Sequence, residues 1–491
     1  MIIRRKALGS AKCWLGIVSI CCCLAGQSLA QTTWRRTYGG LGAEEARSVI
    51  ETSSGGFLFC GSTGSFGDGG DVYVFRTGSD GILEWSAFHG GPGAQVGVMA
   101  AEVDGGYILA GTTSLGSQGG YDMLLLRLGP MGELVWSRNI GGPDWDLCRD
   151  MKVVQDGFVL VGISYGPGAE DGDALVARTN AVGDTLWTRL IGGSGNDEAL
   201  GVDIDPTGNI LVSGRMDAMS DDEDAFVSKL SPEGDLLWTT RFGGDSADYV
   251  SCTVPSGDGG YVTVGGTRSY ADISQALIRK LDVNGESIWQ REHGTPGSTG
   301  DMEMRRLVRR ADGGYAMVGF NSALNAGGRD MFLVRLNPDG YWETGKNYGG
   351  FTDEEGYGIG YLNDGGFILA GTTDGYGPGF RAVYAIRCAA DSETEDDTVF
   401  PTFDTVDIDD FEAIERGPSI YPNPSTGIFS IGSELSPTMV HVTDICGKVM
   451  ERHNVDASGQ YSSLLPSGIY LVELWSGTSV LHRGRLLIVR D

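Results

Sequence analysis

Residues 235–244 read DLLWTTRFGG, and the same phrase stands at 133–142 as ELVWSRNIGG, at 184–193 as DTLWTRLIGG and at 81–91 as GILEWSAFHGG. Its tryptophan recurs as Trp34, Trp85, Trp136, Trp187, Trp238 and Trp289, each 51 residues after the last, and Thr344 holds a seventh place. A fixed period of this length means stacked copies of one supersecondary unit. Three further strand signals precede each tryptophan after Trp34. The first follows the double glycine, as ARSVIE does at 46–51; a DGGY or DGGF turn then leads to a second, YILAGTT at 107–113. Asp-Gly in that turn supplies the positive φ of a tight hairpin. The third is DMLLLRL at 122–128, and another short turn enters the tryptophan strand. Period-two alternation with turn residues at this spacing predicts antiparallel sheet.

Four short strands in each unit have the dimensions of a propeller blade. The ends of the repeat region decide between an open stack and a ring. The last unit, 349–388, has three strand signals and no tryptophan strand, whereas TTWRRTYGG at 32–40 is a tryptophan strand with no preceding three. Together they complete one blade. The expectation is an all-β, seven-bladed β-propeller over 31–388, its last blade closed by the N-terminal strand. An open stack would leave two unpaired sheet edges in need of caps.

Composition agrees with turns and a core rather than disorder: 79 glycines against 16 prolines, and 41% hydrophobic residues among 491. Residues 1–30 read as an export signal peptide, with Arg4, Arg5 and Lys6, then WLGIVSICCCLAG, then the small-x-small site Ser28-Leu29-Ala30. The apolar run is too short to span a bilayer comfortably, so no transmembrane segment is expected in the mature chain. Its removal takes away four basic residues and no acidic ones, moving the formal charge from −29 to −33. Such a surface repels nucleic acid and anionic membranes. The remaining cysteines, Cys60, Cys148, Cys252, Cys388 and Cys446, are scattered without metal-ligand spacing and read as small buried residues.

Stacked units turn positions into columns. His89 and His293 stand four places after a tryptophan, where other units put Tyr38, Ile140, Ile191, Phe242 and Tyr348. That is a packing column, and the tryptophan column is likewise packing between neighbouring units. The other mature histidines, His441, His453 and His482, lie outside the ring, so histidine-dependent hydrolysis is disfavoured. Two acidic columns ring one face: Asp71, Asp122, Asp173, Asp224 and Asp330 open third strands, with Gln275 and Arg381 as exceptions, while Asp146, Asp197, Asp248 and Glu354, with Glu44 nearby, follow the double glycine. Repetition in nearly every unit favours a structural task, acceptance of loop amide hydrogen bonds, over cation or sugar contact. The basic residues Arg76, Arg127, Arg178, Lys229, Lys280 and Arg335 are expected to pair with these acids.

Sites that bind or react usually break such symmetry. The sixth unit is four residues longer and carries Asp301, Glu303, Arg305 and Arg306 in GDMEMRRLVRRADGG; Trp145 and Tyr270 are off-pattern aromatics in loops of the same face. These six are the candidate ligand-binding residues, since an aromatic beside carboxylates suits a carbohydrate; the bland alternative is accidental surface placement. No catalytic residue and no metal ligand is assigned. No cofactor is expected; DIDPTG at 203–208 and DDED at 221–224 give calcium only an incomplete ligand series. Phosphate-cradling loops, a nucleophile elbow and zinc motifs are not found.

After Cys388 the pattern stops. Residues 389–418 read as an acidic linker and 419–491 as a small β-sandwich. The latter opens on Pro422-Asn423-Pro424 with Gly427, turns at Asp444 to Gly447, continues through Gly468 and Tyr470, and finishes basic then apolar with Arg483 and Arg485. In this order the motifs closely resemble the type A C-terminal sorting domain of the type IX secretion system of Bacteroidetes. The two arginines stand where that family commonly has lysines. The resemblance implies passage across the outer membrane, removal of the tail and often attachment to surface lipopolysaccharide. Partners are then the outer-membrane secretion and attachment machinery, and the location is secreted or cell-surface. The resulting expectation is a binding scaffold whose loop face meets an extracellular glycan or protein. The alternative is a polysaccharide-active enzyme using Asp301 and Glu303 with Arg305 or Arg306; a structural surface-layer role is a third reading.

Overall fold

The computed structural model describes residues 32–488, apart from 68–69, 118, 168–170, 218–222, 295–299, 324–327, 378–379, 396–397, 404–418, 422–427, 433–438, 444–447, 455–459, 467 and 477–478. The export signal at 1–30 lies outside the described residues.

Each repeat folds as one antiparallel sheet with its strands in chain order. In the third unit these are Asp146–Val154, Gly157–Ser164, Asp173–Asn180 and Thr185–Ile191. Six such four-stranded sheets fill 44–348, and a seventh sheet begins with 354–388. Its next strand is Trp34–Gly39, antiparallel to Ala382–Cys388 with Trp34 opposite Arg387 and Tyr38 opposite Val383. The first strands of successive sheets contact one another along the series, and Glu44–Glu51 of the first sheet contacts Glu354–Tyr361 of the last. These will be called the inner strands.

The core lies between sheets rather than within any one. Seven apolar clusters occupy the seven junctions, including one that joins Phe57, Phe59 and Phe75 of the first sheet to Ile368, Val383 and Ala385 of the last. That last-to-first junction is densely aromatic: Tyr38 lies 4.8 Å from Phe75, and Phe59 stacks on Phe75 at 4.7 Å. Aromatic contacts of this kind add to the burial term, at the place where segments about 350 residues apart must meet.

The tryptophan column has a defined partner. Each ring lies on the glycine of the turn between third and fourth strands in the next sheet: Trp34 on Gly81, Trp136 on Gly183, Trp187 on Gly234 and Trp289 on Gly340. Gly234 sits at φ +86° with the Trp187 ring 3.1 Å from where a Cβ would be, so a side chain is opposed both by the backbone and by the indole. Four places on, Tyr38 donates to Gly81 O at 2.6 Å, while the His89 and His293 imidazoles bond the carbonyls of Gly132 and Gly340. Burial lowers the pKa of both histidines. The packing reading of both columns agrees with these contacts.

Two expectations need correction. The basic residues of the third strands do not meet the acidic columns: Lys229 pairs with Asp205 at 2.9 Å, and Arg178 and Lys280 pair with Asp156 and Asp258. All three partners belong to turns at the opposite end of the sheet. Five residues of strand advance about 16 Å, which carries the cation from one face to the other. Nor does the pattern stop at Cys388. Ala389 N donates to Glu393 O and Ser392 N to Ala389 O, both at 2.9 Å, reproducing the turn that Asn180, Gly183 and Asp184 make in the third sheet. Ser392 takes the glycine place at φ 72°, and Tyr348 donates to its carbonyl at 2.5 Å. Val399–Phe403 then runs parallel to Trp34–Gly39 as a fifth strand. The acidic segment thus contributes to the last sheet before residue 404.

In the tail, Ser419–Tyr421, Ile428–Gly432 and Gln460–Ser462 form one sheet, and Val449–Asn454, Met439–Thr443, Gly468–Ser476 and Ser479–Ile488 a second. Phe429 and Tyr461 of the first share a buried cluster with Val440, Val472 and Leu486 of the second. Tyr470 is buried there and donates to Pro466 O at 3.0 Å. Gly468, Arg483 and Arg485 lie on strands; Pro422, Asn423, Pro424, Gly427, Asp444, Gly447 and Cys446 lie outside the described residues. Cys60, Cys148, Cys252 and Cys388 are buried free thiols, and no described helix is long and apolar enough to cross a membrane.

Candidate functional site

The acidic column that follows the double glycine is consumed by the fold. Gly142 N donates to Asp146 at 2.6 Å, Gly193 N to Asp197 at 2.7 Å, Gly244 N to Asp248 and Gly350 N to Glu354 at 2.9 Å, and Gly40 N to Glu44 at 3.0 Å. The carboxylates hold the loops that enter the inner strands. In the segments with incomplete calcium-like series, Asp203 pairs with Lys152 at 3.3 Å and Asp205 accepts from Thr207 and Asn209.

Every inner strand carries a β-bulge at the same place, between Cys148 and Asp150 in the third sheet and between Met304 and Arg306 in the sixth. In the sixth sheet Arg305 is the extra residue of the bulge, and it and Arg306 go to different partners. Arg306 reaches from the sixth sheet to Asp150 of the third, Nη1 to Oδ2 at 2.7 Å. Asp150 is fully buried and also accepts from Met151 N and Val202 N. This pair ties the sixth sheet to the third, which is not its neighbour in the series. Burial opposes the Arg306 charge, yet Asp150 keeps its pKa above the ordinary arginine value.

Arg305 enters a different set. It pairs with Glu355 at 2.8 Å, and its guanidinium lies 4.3 Å from the Tyr357 ring centroid and 5.3 Å from that of Phe320. Arg329, its side chain 48% exposed, also binds Glu355, and Tyr357 donates to the same carboxylate at 2.9 Å. Burial works against ionisation of Glu355, but the Arg305 charge and the bonds from Arg329 and Tyr357 bring its pKa down to about 2. Glu303 is hydrogen-bonded to Tyr249, whose hydroxyl pKa is pushed up by burial first and by the Glu303 charge second. Arg47 of the first sheet stands 5.9 Å from the Tyr357 ring. The result is a polar and aromatic patch at the loop end of the inner strands, drawing on Tyr249, Glu303, Arg305, Glu355, Tyr357 and Arg329. Its charges balance, so it offers hydrogen bonds and ring faces rather than a net field.

The sequence candidates therefore divide. Glu303 and Arg305 belong to this patch, while Arg306 belongs to the link with Asp150. Asp301 accepts from Ser274 N at 2.8 Å, and its own N–H donates to Ser322 Oγ, so it holds a loop; Glu303 accepts from the Ser274 hydroxyl at 3.4 Å. Trp145 and Tyr270 are half exposed on loops of the third and fifth sheets. Trp145 packs edge-on to Tyr121 at 5.2 Å, and Tyr270 reaches Gly243 O at 3.5 Å. Tyr249, Glu355, Tyr357 and Arg329 were missed. A signal existed for the first two, since the inner column running Glu45, Val96, Leu147, Glu198, Tyr249, Glu303 and Glu355 changes chemistry from sheet to sheet.

Residues 419–489 match the family of secretion system C-terminal sorting domains. The tail is therefore a sorting domain of the type IX kind, which marks the chain for secretion or surface display. Over 348 residues the chain is 26% identical to the Regulatory protein FlaEY of Caulobacter vibrioides, covering 54% of this chain and 36% of that protein. It thus spans about a third of the length of that curated relative. Among solved structures it is similar to PorZ, a surface component of the type IX secretion system of Porphyromonas gingivalis, with 13% identity, TM-score 0.37, and coverage of 93% of this chain and 70% of that one. It is also similar to the Pan2 WD40 domain of Neurospora crassa, with 13% identity, TM-score 0.45, and coverage of 73% and 96%. The repeat region is β-propeller-like.

Proposed function

We propose that this protein is a surface-displayed or secreted binding scaffold. In this reading, residues 32–403 form a closed seven-bladed ring, 1–30 are an export signal, and 419–491 direct passage through the type IX system. Closure is supported by the continuous series of inner-strand contacts and by the antiparallel pairing of Trp34–Gly39 with Ala382–Cys388. The ligand is a glycan or an extended protein segment, met at the patch of Tyr249, Glu303, Arg305, Glu355, Tyr357 and Arg329. Trp145 and Tyr270 extend that surface on neighbouring loops.

The observation that carries this reading is the use to which the acids are put. Asp301 holds a loop, Glu303 is engaged by Tyr249, and Glu355 is held ionised by two arginines. A glycosidase acid requires a carboxyl with a raised pKa at the reacting centre, whereas Glu355 is held in the opposite sense. Binding by hydrogen bonds and aromatic faces fits the same groups without change.

The test is a glycan and peptide array on the purified mature chain, with calcium and again with chelator, repeated with Arg329→Ala and Tyr357→Ala. Selective binding that falls at least tenfold in both variants supports the assignment. Binding unaffected by either variant removes the patch from consideration. Turnover of an arrayed glycan would replace the scaffold reading with an enzymatic one.

A further inference from the structure

Gly90, Gly141, Gly192, Gly243 and Gly349, each the first of a double glycine, lie between two polar side chains, one opening a third strand and one opening the next inner strand. A Cβ on Gly192 would meet Asp173 Oδ1 at 2.2 Å and Asp197 Oδ2 at 2.3 Å; one on Gly349 would meet Asp330 Oδ1 at 2.1 Å and Glu354 Oε2 at 2.7 Å. In these two junctions, opposed and buried carboxylates face one glycine at close quarters, as Asp122 and Asp146 also do at Gly141. Like charges so placed in a dry site do not both ionise easily.

The repeats supply their own variant series. Between the first and second sheets the pair is Asp71 with Gln95, and Gly91 N donates to both, at 3.0 and 3.2 Å. An amide there has the shape of a protonated carboxyl. Between the fourth and fifth sheets, Asp224 and Asp248 are accompanied by Arg241, 3.8 Å from Asp224. One junction thus carries a neutral partner and another a nearby cation. At the junction of the sixth and last sheets, the neighbouring Arg329 guanidinium is committed to Glu355, and Asp353 adds a further negative charge beside Glu354. Thr352 and Thr373 donate to Glu354, while Asp330 Oδ1 accepts no hydrogen bond. Asn321 pairs with Asp330 across the strand, and Tyr384 of the last sheet lies within reach of the Glu354 charge. At the junction of the third and fourth sheets, Asp217 adds negative charge to Asp197 and Arg241 partly offsets it.

We propose that the Asp330–Glu354 and Asp173–Asp197 pairs each share one proton between two buried carboxylates, so that the sheet junctions strengthen as pH falls from 8 towards 6.5. Burial, and secondly the Glu354 charge, push Asp330 up to about 7 from its ordinary 3.8. Burial likewise raises Asp173 and Asp197. An acid whose folded pKa is raised stabilises the fold fully below its unfolded value and loses that contribution as pH rises through the folded value. The half-buried histidines His89 and His293, lowered by burial, work in the opposite sense and already contribute at pH 6.5, so the difference between wild type and a carboxylate variant, rather than the wild-type slope, isolates the carboxylates.

The experiment is thermal unfolding of the mature chain at pH 8, 7.5, 7 and 6.5, in chelator and again with 1 mM calcium (about a thousandfold over the protein). In chelator, wild type is expected to gain roughly 1 °C more than Asp330→Asn across this window. Asp173→Asn should likewise gain less than wild type, whereas Asp71→Asn, at the junction already neutral on one side, should follow wild type. An Asp330→Asn profile parallel to that of wild type overturns the proposal. So does a calcium-induced rise at pH 8 that abolishes the slope, since the pairs would then hold a cation instead. If Asp330→Asn does not fold, the 13C carboxyl titration of wild type decides: a buried aspartate with a midpoint near 7 supports sharing, and all midpoints below 5 refute it.

Discussion

The outer tryptophan column and the inner column from Glu45 to Glu355 run through the same seven sheets, yet one hardly varies and the other changes at nearly every step. The difference follows from what each touches. Every outer tryptophan meets the same object, a positive-φ glycine turn in the next sheet, so the same shape is required each time. Inner residues instead meet different partners around the ring: Arg306 finds Asp150 and Arg305 finds Glu355. Repetition marks packing, and departure from it marks the places free to acquire a specific task.

The comparison can be broken at several points. Deleting residues 32–40 removes the strand that completes the last sheet, and the cooperative melt should be lost or lowered by about 10 °C or more, because a sheet edge and the aromatic last-to-first junction are both exposed. Deleting 399–403 should cost far less, since that strand only covers an outer edge; equal losses would mean that the parallel strand is as important as closure itself. Arg306→Met leaves Asp150 buried without its cation and should destabilise the ring by about 3 kcal/mol in denaturant titration. Adding Asp150→Leu should recover most of that loss, which an Arg306 role in ligand binding would not predict. Gly234→Ala tests the outer column and should cost about 2 kcal/mol through backbone strain and the clash with Trp187. Arg329→Ala, partly exposed in the inner patch, should change stability by no more than about 0.5 kcal/mol while weakening ligand binding. A large loss of stability there would move Arg329 from the site to the scaffold.

The repeat, its four strands and the completion of the last sheet by the N-terminal strand were legible because each depends on local periodicity and on counting strands at the two ends. The tail was legible because its motifs occur in order over 71 residues. The functional patch was read only in part. Glu303 and Arg305 stood out by breaking the pattern, but nothing in the sequence says that Arg305 meets Glu355 while Arg306 meets Asp150 on a distant sheet. Likewise, the acids at 146, 197, 248 and 354 looked equally available until their loop amides were found.

By itself, the chain determines a β-rich repeat, an N-terminal strand that completes its last sheet, and a sorting tail. These follow from period, turn chemistry and short motifs, all of which act between residues near one another in sequence. Tertiary structure alone decided that Asp150 meets Arg306 across 156 positions, that Glu355 is held ionised, and that 399–403 joins the last sheet in parallel. Such pairings depend on which side chains seven sheets bring together in space, and a bulge or an added strand changes that without altering the repeat from which the sheets are built.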